Sequence, residues 1–192
     1  MAGVVTGGLV PLGELALRAM TGTLGADPVA FVLNRLGLVA LVLLVAGLAC
    51  TPLQRFAGLR ALVHVRRPLG LLAFGYAALH AGFYLAVDQG LDLAAVVEDV
   101  VKRPFVTVGV LALGLLAPLA WTSRDASLRA MGPKRWKRLH RLVYPAVILA
   151  LVHFLLRVKA DLAEPLAYGA VAVALLLARA VPRASRASTP PT

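Results

Sequence analysis

The sequence predicts an all-α protein, a polytopic integral membrane helical bundle of about six transmembrane helices. Three observations lead there. Hydrophobic residues make up 60% of the 192 residues and charged ones only 15%, against roughly 45–50% and about 25% in soluble domains. Apolar runs recur along the chain, each about the ~20 residues that cross a hydrocarbon core. The charges are also segregated. Most of the 20 Lys and Arg fall in the 53–67 loop, the 123–141 loop and the stretch after Leu177. Asp27, Asp88, Asp92, Glu98, Asp99, Asp161 and Glu164 lie in the other connections. That alternation is what the positive-inside rule produces, so a net charge of +11 reads as topology and not as nucleic-acid binding. Runs that are apolar all round argue against membrane strands, which alternate.

The first segment, about 3–21, is the weakest span, because its glycines and Pro11 dilute it; Glu14 and Arg18 stand one turn apart and can pair. Residues 22–34 read as a turn and short interfacial helix. The second segment, about 35–53, starts at Arg35 and stops at Thr51-Pro52. The third, 67–87, follows Arg66-Arg67-Pro68, with proline near a helix start. The 88–103 connection is acidic and half amphipathic, and lies outside. The fourth segment, about 104–122, opens on Pro104 and stops at Thr122-Ser123. A basic inner loop, 123–138, leads to the fifth, about 139–158, which ends near Arg157 and Lys159. The sixth, about 164–181, starts at Glu164-Pro165. Residues 1–181 form one membrane domain, and 182–192 a disordered cytoplasmic tail. Both termini face the cytoplasm. The N-terminus lacks the basic start of a cleaved signal peptide.

Chemistry concentrates in the histidines. Ala73, Ala77 and His80 share one helical face, and Ala146, Ala150 and His153 repeat the same spacing. A histidine beneath two small residues suits a flat macrocycle that must approach the backbone, and Gly75 and Gly82 thin the third segment further. His80 lies 13 residues past Arg67 and His153 lies 13 past His140, which sets both imidazoles ~20 Å above the inner surface. Two nitrogen ligands at one depth on neighbouring helices can bind haem iron from opposite sides; the bland alternative is a hydrogen-bonded histidine bridge. Intramembrane ionisable groups are costly and usually functional. His140 would face another way than His153 unless Pro145 bends the turn between them, and on its own reads as an interfacial residue. His64 reads as a solvated loop residue. The lone cysteine, Cys50, forms no internal disulfide, and no C-x-x-C-H is present, so haem would be held non-covalently. There is no catalytic acid–base pair or nucleophile. Arg135 and Trp136 read as interface anchors.

Taken together, Gly25-Ala26-Asp27-Pro28, Thr51-Pro52-Leu53, Arg66-Arg67-Pro68-Leu69-Gly70-Leu71, Lys102-Arg103-Pro104-Phe105-Val106-Thr107-Val108-Gly109, Thr122-Ser123 and Lys134-Arg135-Trp136-Lys137-Arg138-Leu139-His140 resemble the MsrQ (YedZ) family. That family belongs to the ferric-reductase-like transmembrane group, and the resemblance spans about 24–180. It implies a six-helix bundle in the bacterial inner membrane that binds haem b through His80, His140 and His153. It further implies electrons passed from a cytoplasmic flavin reductase or quinone to a periplasmic MsrP-like molybdopterin enzyme that reduces methionine sulfoxide, with FMN bound in some members. The wider group carries a second histidine 14 residues before the first ligand, where this chain has Arg66. One haem is therefore expected. The inner site is left to a second haem on His140, with His64 or water opposite, or to a flavin phosphate or haem propionate against Arg66 and Arg67. Two other functions compete: a stand-alone ferric or quinone reductase, and a haem-free transporter or structural bundle.

Overall fold

The computed structural model describes residues 2–158 and 160–180, so Lys159 and the expected disordered tail lie outside the described residues. The chain forms α1 (Ala2–Met20), α2 (Pro28–Phe56), α3 (Leu62–Phe83, continued by a π turn over Tyr84–Asp88) and α4 (Leu93–Lys102). It goes on through α5 (Pro104–Trp121), α6 (Asp125–Leu139), a 3-10 turn at His140–Leu142, α7 (Val143–Arg157) and α8 (Ala163–Ala180). No strand occurs among the described residues. Among the described residues, four helical stretches are long and apolar enough to cross a bilayer: Pro28–Phe56, Leu62–Asp88, Pro104–Trp121 and Asp125–Arg157. They correspond to the second to fifth expected segments. α1 and α8 stand where the first and sixth were expected, α1 packed on α3 and α8 on α2 and α7. The fold is the predicted helical membrane bundle.

The most extensive contacts are α2 with α3 and α5 with α7, and α3 against α5 joins the two pairs. The central cluster draws Leu44 and Leu48 from α2, Ala73 from α3, Leu116 from α5, Ala146 and Val147 from α7 and Ala172 from α8. The buried alanines of three helices meet in this cluster, as expected when close backbone approach rather than water exclusion drives association. Large apolar side chains such as Val42, Leu71, Val110, Ile148 and Leu155 are exposed, which suits a surface solvated by lipid. Tyr76 is buried and donates its hydroxyl to the Gly8 carbonyl at 2.6 Å, tying α1 to α3. Glu14 accepts from Arg18 (3.1 Å), as its spacing predicts, and also from Arg35 of α2 (2.7 Å).

The structure moves several boundaries. α2 begins at Pro28, where the Asp27 carboxylate accepts from the Ala30 amide at 3.0 Å; the expected interfacial helix is its first turns. α2 then runs through Thr51-Pro52 to Phe56. Proline has no N–H, so Pro52 leaves the Leu48 carbonyl without its helical donor. Arg179 of α8 replaces it: Nη2 and Nε donate to Leu48 O at 2.7 and 3.1 Å, and Nη2 also to Gly47 O at 3.3 Å. Its Nη1 donates to the Tyr144 hydroxyl of α7, and the guanidinium lies over that ring. α3 begins at Leu62, so Pro68 falls inside the helix rather than at its start. The expected 123–138 loop is helix α6, kinked at Gly132 (φ 74) just before Pro133. The 88–103 connection contains α4, capped by Asp92, whose carboxylate accepts from the Ala94 and Ala95 amides.

Arg179→Leu should cost about 1–3 kcal/mol, because it strands a carbonyl in a medium without water. Arg179→Lys should recover part of the loss, as read from the thermal denaturation midpoint of the purified protein in detergent.

Candidate cofactor site

His80, near the end of α3, and His153, in the last turns of α7, meet inside the bundle with ring centroids 6.0 Å apart and planes at 85°. Each imidazole is anchored by its Nδ1. His80 Nδ1 lies 2.9 Å from Leu33 O of α2, and His153 Nδ1 lies 2.6 Å from Phe105 O of α5. A carbonyl only accepts, so both rings carry the proton on Nδ1, which leaves Nε2 with its lone pair free.

The two anchors share one construction. In an α-helix the Leu33 carbonyl already serves the amide of Gly37, and the Phe105 carbonyl that of Gly109. Each histidine uses the remaining lone pair of the same oxygen. To reach it the ring must pass the position four residues on, where a Cβ would tilt back towards that carbonyl. Both positions are glycine. A Cβ on Gly109 would stand 2.7 Å from His153 Nδ1, and one on Gly37 would stand 3.3 Å from His80 Nδ1. Gly75 and Gly82, expected to thin α3 for a ligand, face open space: a Cβ on either would meet nothing within 4 Å. The close approach is made on α2 and α5 instead.

The alanine faces occupy the expected places. Ala73 and Ala146 are fully buried in the central cluster, with Ala77 and Ala150 packed against it. His140 does not join the pair. It opens the 3-10 turn, stacks on Trp136 (centroids 3.8 Å, planes 24° apart), and sets Nε2 3.2 Å from the Thr122 hydroxyl. That hydroxyl donates to Pro118 O at 2.6 Å, so it accepts from a protonated Nε2 of His140, and Nδ1 is the nitrogen left over. The Trp136 indole donates to Thr122 O at 3.0 Å and fixes the ring that His140 stacks on. His64 is exposed in the first turn of α3. Arg66 reaches the Gln54 side-chain oxygen of α2, and its buried Nε has no partner. Arg67 is engaged by Asp125 of α6 at 2.7 Å, both side chains being solvated.

The donor set fits a metal held between two imidazoles. A metal–imidazole bond is about 2 Å long, so two rings sharing one ion from opposite sides hold their centroids roughly 6 Å apart. Ligating histidines characteristically donate the other ring N–H to a carbonyl or carboxylate, which both do here. Among the described residues no cluster of three or more His, Cys, Asp and Glu side chains could hold a bare metal ion. A metal that brings its own equatorial ligands is what two histidines alone can serve.

Over residues 35–151 the chain matches the family described as ferric reductase like transmembrane component, which defines its class as a ferric-reductase-like membrane bundle. The heme-binding subunit MsrQ of protein-methionine-sulfoxide reductase from Brucella ovis is 48% identical over 174 residues, covering 91% of this chain and 78% of that protein. Its counterparts in Brucella canis and Brucella melitensis biotype 2 align with the same figures. The chain belongs to the MsrQ family.

Gly109→Ala should destabilise the bundle by roughly 1–3 kcal/mol through overpacking, and Gly37→Ala by less, because its contact is longer. Thermal denaturation of the two variants side by side checks the order.

Proposed function

We propose that the protein is a haem b-binding electron-transfer subunit of the bacterial inner membrane. In this reading it passes electrons from the cytoplasmic side, or from quinone, to a periplasmic molybdopterin methionine sulfoxide reductase of the MsrP kind. The observation that carries it is the His80–His153 pair, each Nδ1 on a backbone carbonyl and each Nε2 free. The relatives' role as heme-binding subunits of protein-methionine-sulfoxide reductase supports the same reading.

In this proposal His80 and His153 would hold the haem, each through its free Nε2. Haem supplies one-electron redox chemistry, its potential tuned by ligands and by the dielectric around it. The chain contributes positioning. The Leu33 and Phe105 carbonyls fix each ring's tautomer and rotation and make the ligating nitrogen more electron-rich. Gly37 and Gly109 admit the rings, and the buried Ala73 and Ala146 keep the helices close beneath them. Substrate reduction belongs to the partner.

At the inner end, His140 has Nδ1 available but no second histidine in ring contact among the described residues, so one haem per chain is the stoichiometry we assign. Arg66, with an unpartnered Nε, is the cation best suited to an anionic group there, a flavin phosphate or a haem propionate. Arg67 is secondary, since Asp125 already neutralises it. The basic loop charges support a reading in which this end and both termini face the cytoplasm. A stand-alone ferric or quinone reductase is favoured over a transporter by the ferric-reductase match; such a protein would purify without a periplasmic partner.

A dithionite-reduced minus oxidised spectrum, with pyridine haemochrome quantitation, should show b-type bands at about one haem per chain. About two would bring His140 in as a ligand, and none would end the proposal. His80→Ala and His153→Ala should each abolish haem incorporation while membrane insertion persists. Full haem retention in either variant would remove that residue from the ligand set.

A further inference from the structure

α4 is a short helix set between two spans, and its position is tightly constrained. The span Leu62–Asp88 ends four residues before it, and Pro104–Trp121 begins after the single residue Arg103. Both of its ends are therefore held at the rim of the bundle, at the end towards which His80 and His153 lie in their helices. Ten residues long, it measures ~15 Å and cannot cross the bilayer.

Its surface divides into three strips. Ala95, Val96, Asp99 and Val100 face the protein, where the Asp99 carboxylate accepts from the Tyr84 hydroxyl at 2.8 Å and pairs with Arg103 at 3.2 Å. Thr107 of α5 donates its hydroxyl to the Val100 carbonyl, pinning the helix to the start of the next span. Beside this face runs an apolar strip with no protein against it: Leu93 is 67% exposed, Val97 64% and Val101 79%. The third strip is polar, and Glu98 and Lys102 pair across it.

An apolar strip set between a protein-facing side and a charged edge, on a helix tethered at the membrane boundary, matches a helix lying in the interface plane. We infer that α4 is seated in the lipid of the leaflet opposite α6, with Leu93, Val97 and Val101 in the acyl boundary and Glu98 and Lys102 in water. Its occupant is lipid rather than a protein partner, because the spans that adjoin α4 in the chain also expose apolar side chains, Val87 before it and Val110 and Leu111 after it. The helix runs directly into Arg103-Pro104-Phe105, so its seat in the bilayer also holds the carbonyl that anchors His153.

Spin labels on Val97→Cys, Val101→Cys, Glu98→Cys and Lys102→Cys, in a Cys50→Ala background, test this in the full chain in nanodiscs of phosphatidylethanolamine and phosphatidylglycerol. If that background fails to fold, the labels are read in the native chain, whose Cys50 is buried and labels slowly. Power saturation should give labels 97 and 101 several-fold more collisions with oxygen than with a nickel chelate, and labels 98 and 102 the reverse. Equal nickel access at all four sites would overturn the inference. So would strong nickel access at 97 and 101 that is lost only when a protein partner is added, which would make the strip a docking surface.

Discussion

Two carbonyl oxygens, those of Leu33 and Phe105, do double duty, and the rest of the architecture follows from that. Each must serve its own helix and also accept from an imidazole on the neighbouring one, which favours a glycine four residues on, most strongly at Gly109, and needs a partner helix close enough for the ring to reach. α2 with α3 and α5 with α7 are accordingly the two most extensively packed helix pairs, and the contact of α3 with α5 brings the anchored rings together. An imidazole in an apolar bundle is costly unless its polar atoms are used. One nitrogen is used within the chain and the other is kept in reserve, a division suited to a ligand.

The packing beneath the pair follows the same logic. Ala73 and Ala146 have no exposed surface and Ala172 joins them from α8. Larger residues there would hold the spans apart and pull each histidine off its carbonyl. The outer surface, by contrast, is lined with valines and leucines that touch only solvent in isolation, the usual condition of a span that meets acyl chains.

Much of this was legible in the sequence. The apolar runs and alternating charge located the four principal spans, and the shared alanine–histidine spacing picked out His80 and His153. Their partners were not legible, since a backbone carbonyl has no sequence signature. Gly109 stood inside the Phe105-Val106-Thr107-Val108-Gly109 run with nothing to separate it from Gly75, which faces open space. Thr51-Pro52 looked like a helix end because the donor that rescues Leu48 lies at residue 179, far along the chain. The 123–138 stretch looked like a loop because Gly132-Pro133 and its many charges hid a kinked helix. His140 was legible as a residue of interest, but its stacking on Trp136 depends on that helix.

The arginine that completes α2 also has an order-of-synthesis consequence. α2 leaves the ribosome long before residue 179 is made, so until then the Leu48 carbonyl lacks the donor that the folded protein supplies. The missing group arrives on α8, and with it a bond to Tyr144 of α7. A nascent chain is thus incomplete in its middle until α8 is in place, and a chain cut short before Arg179 would lack that donor altogether.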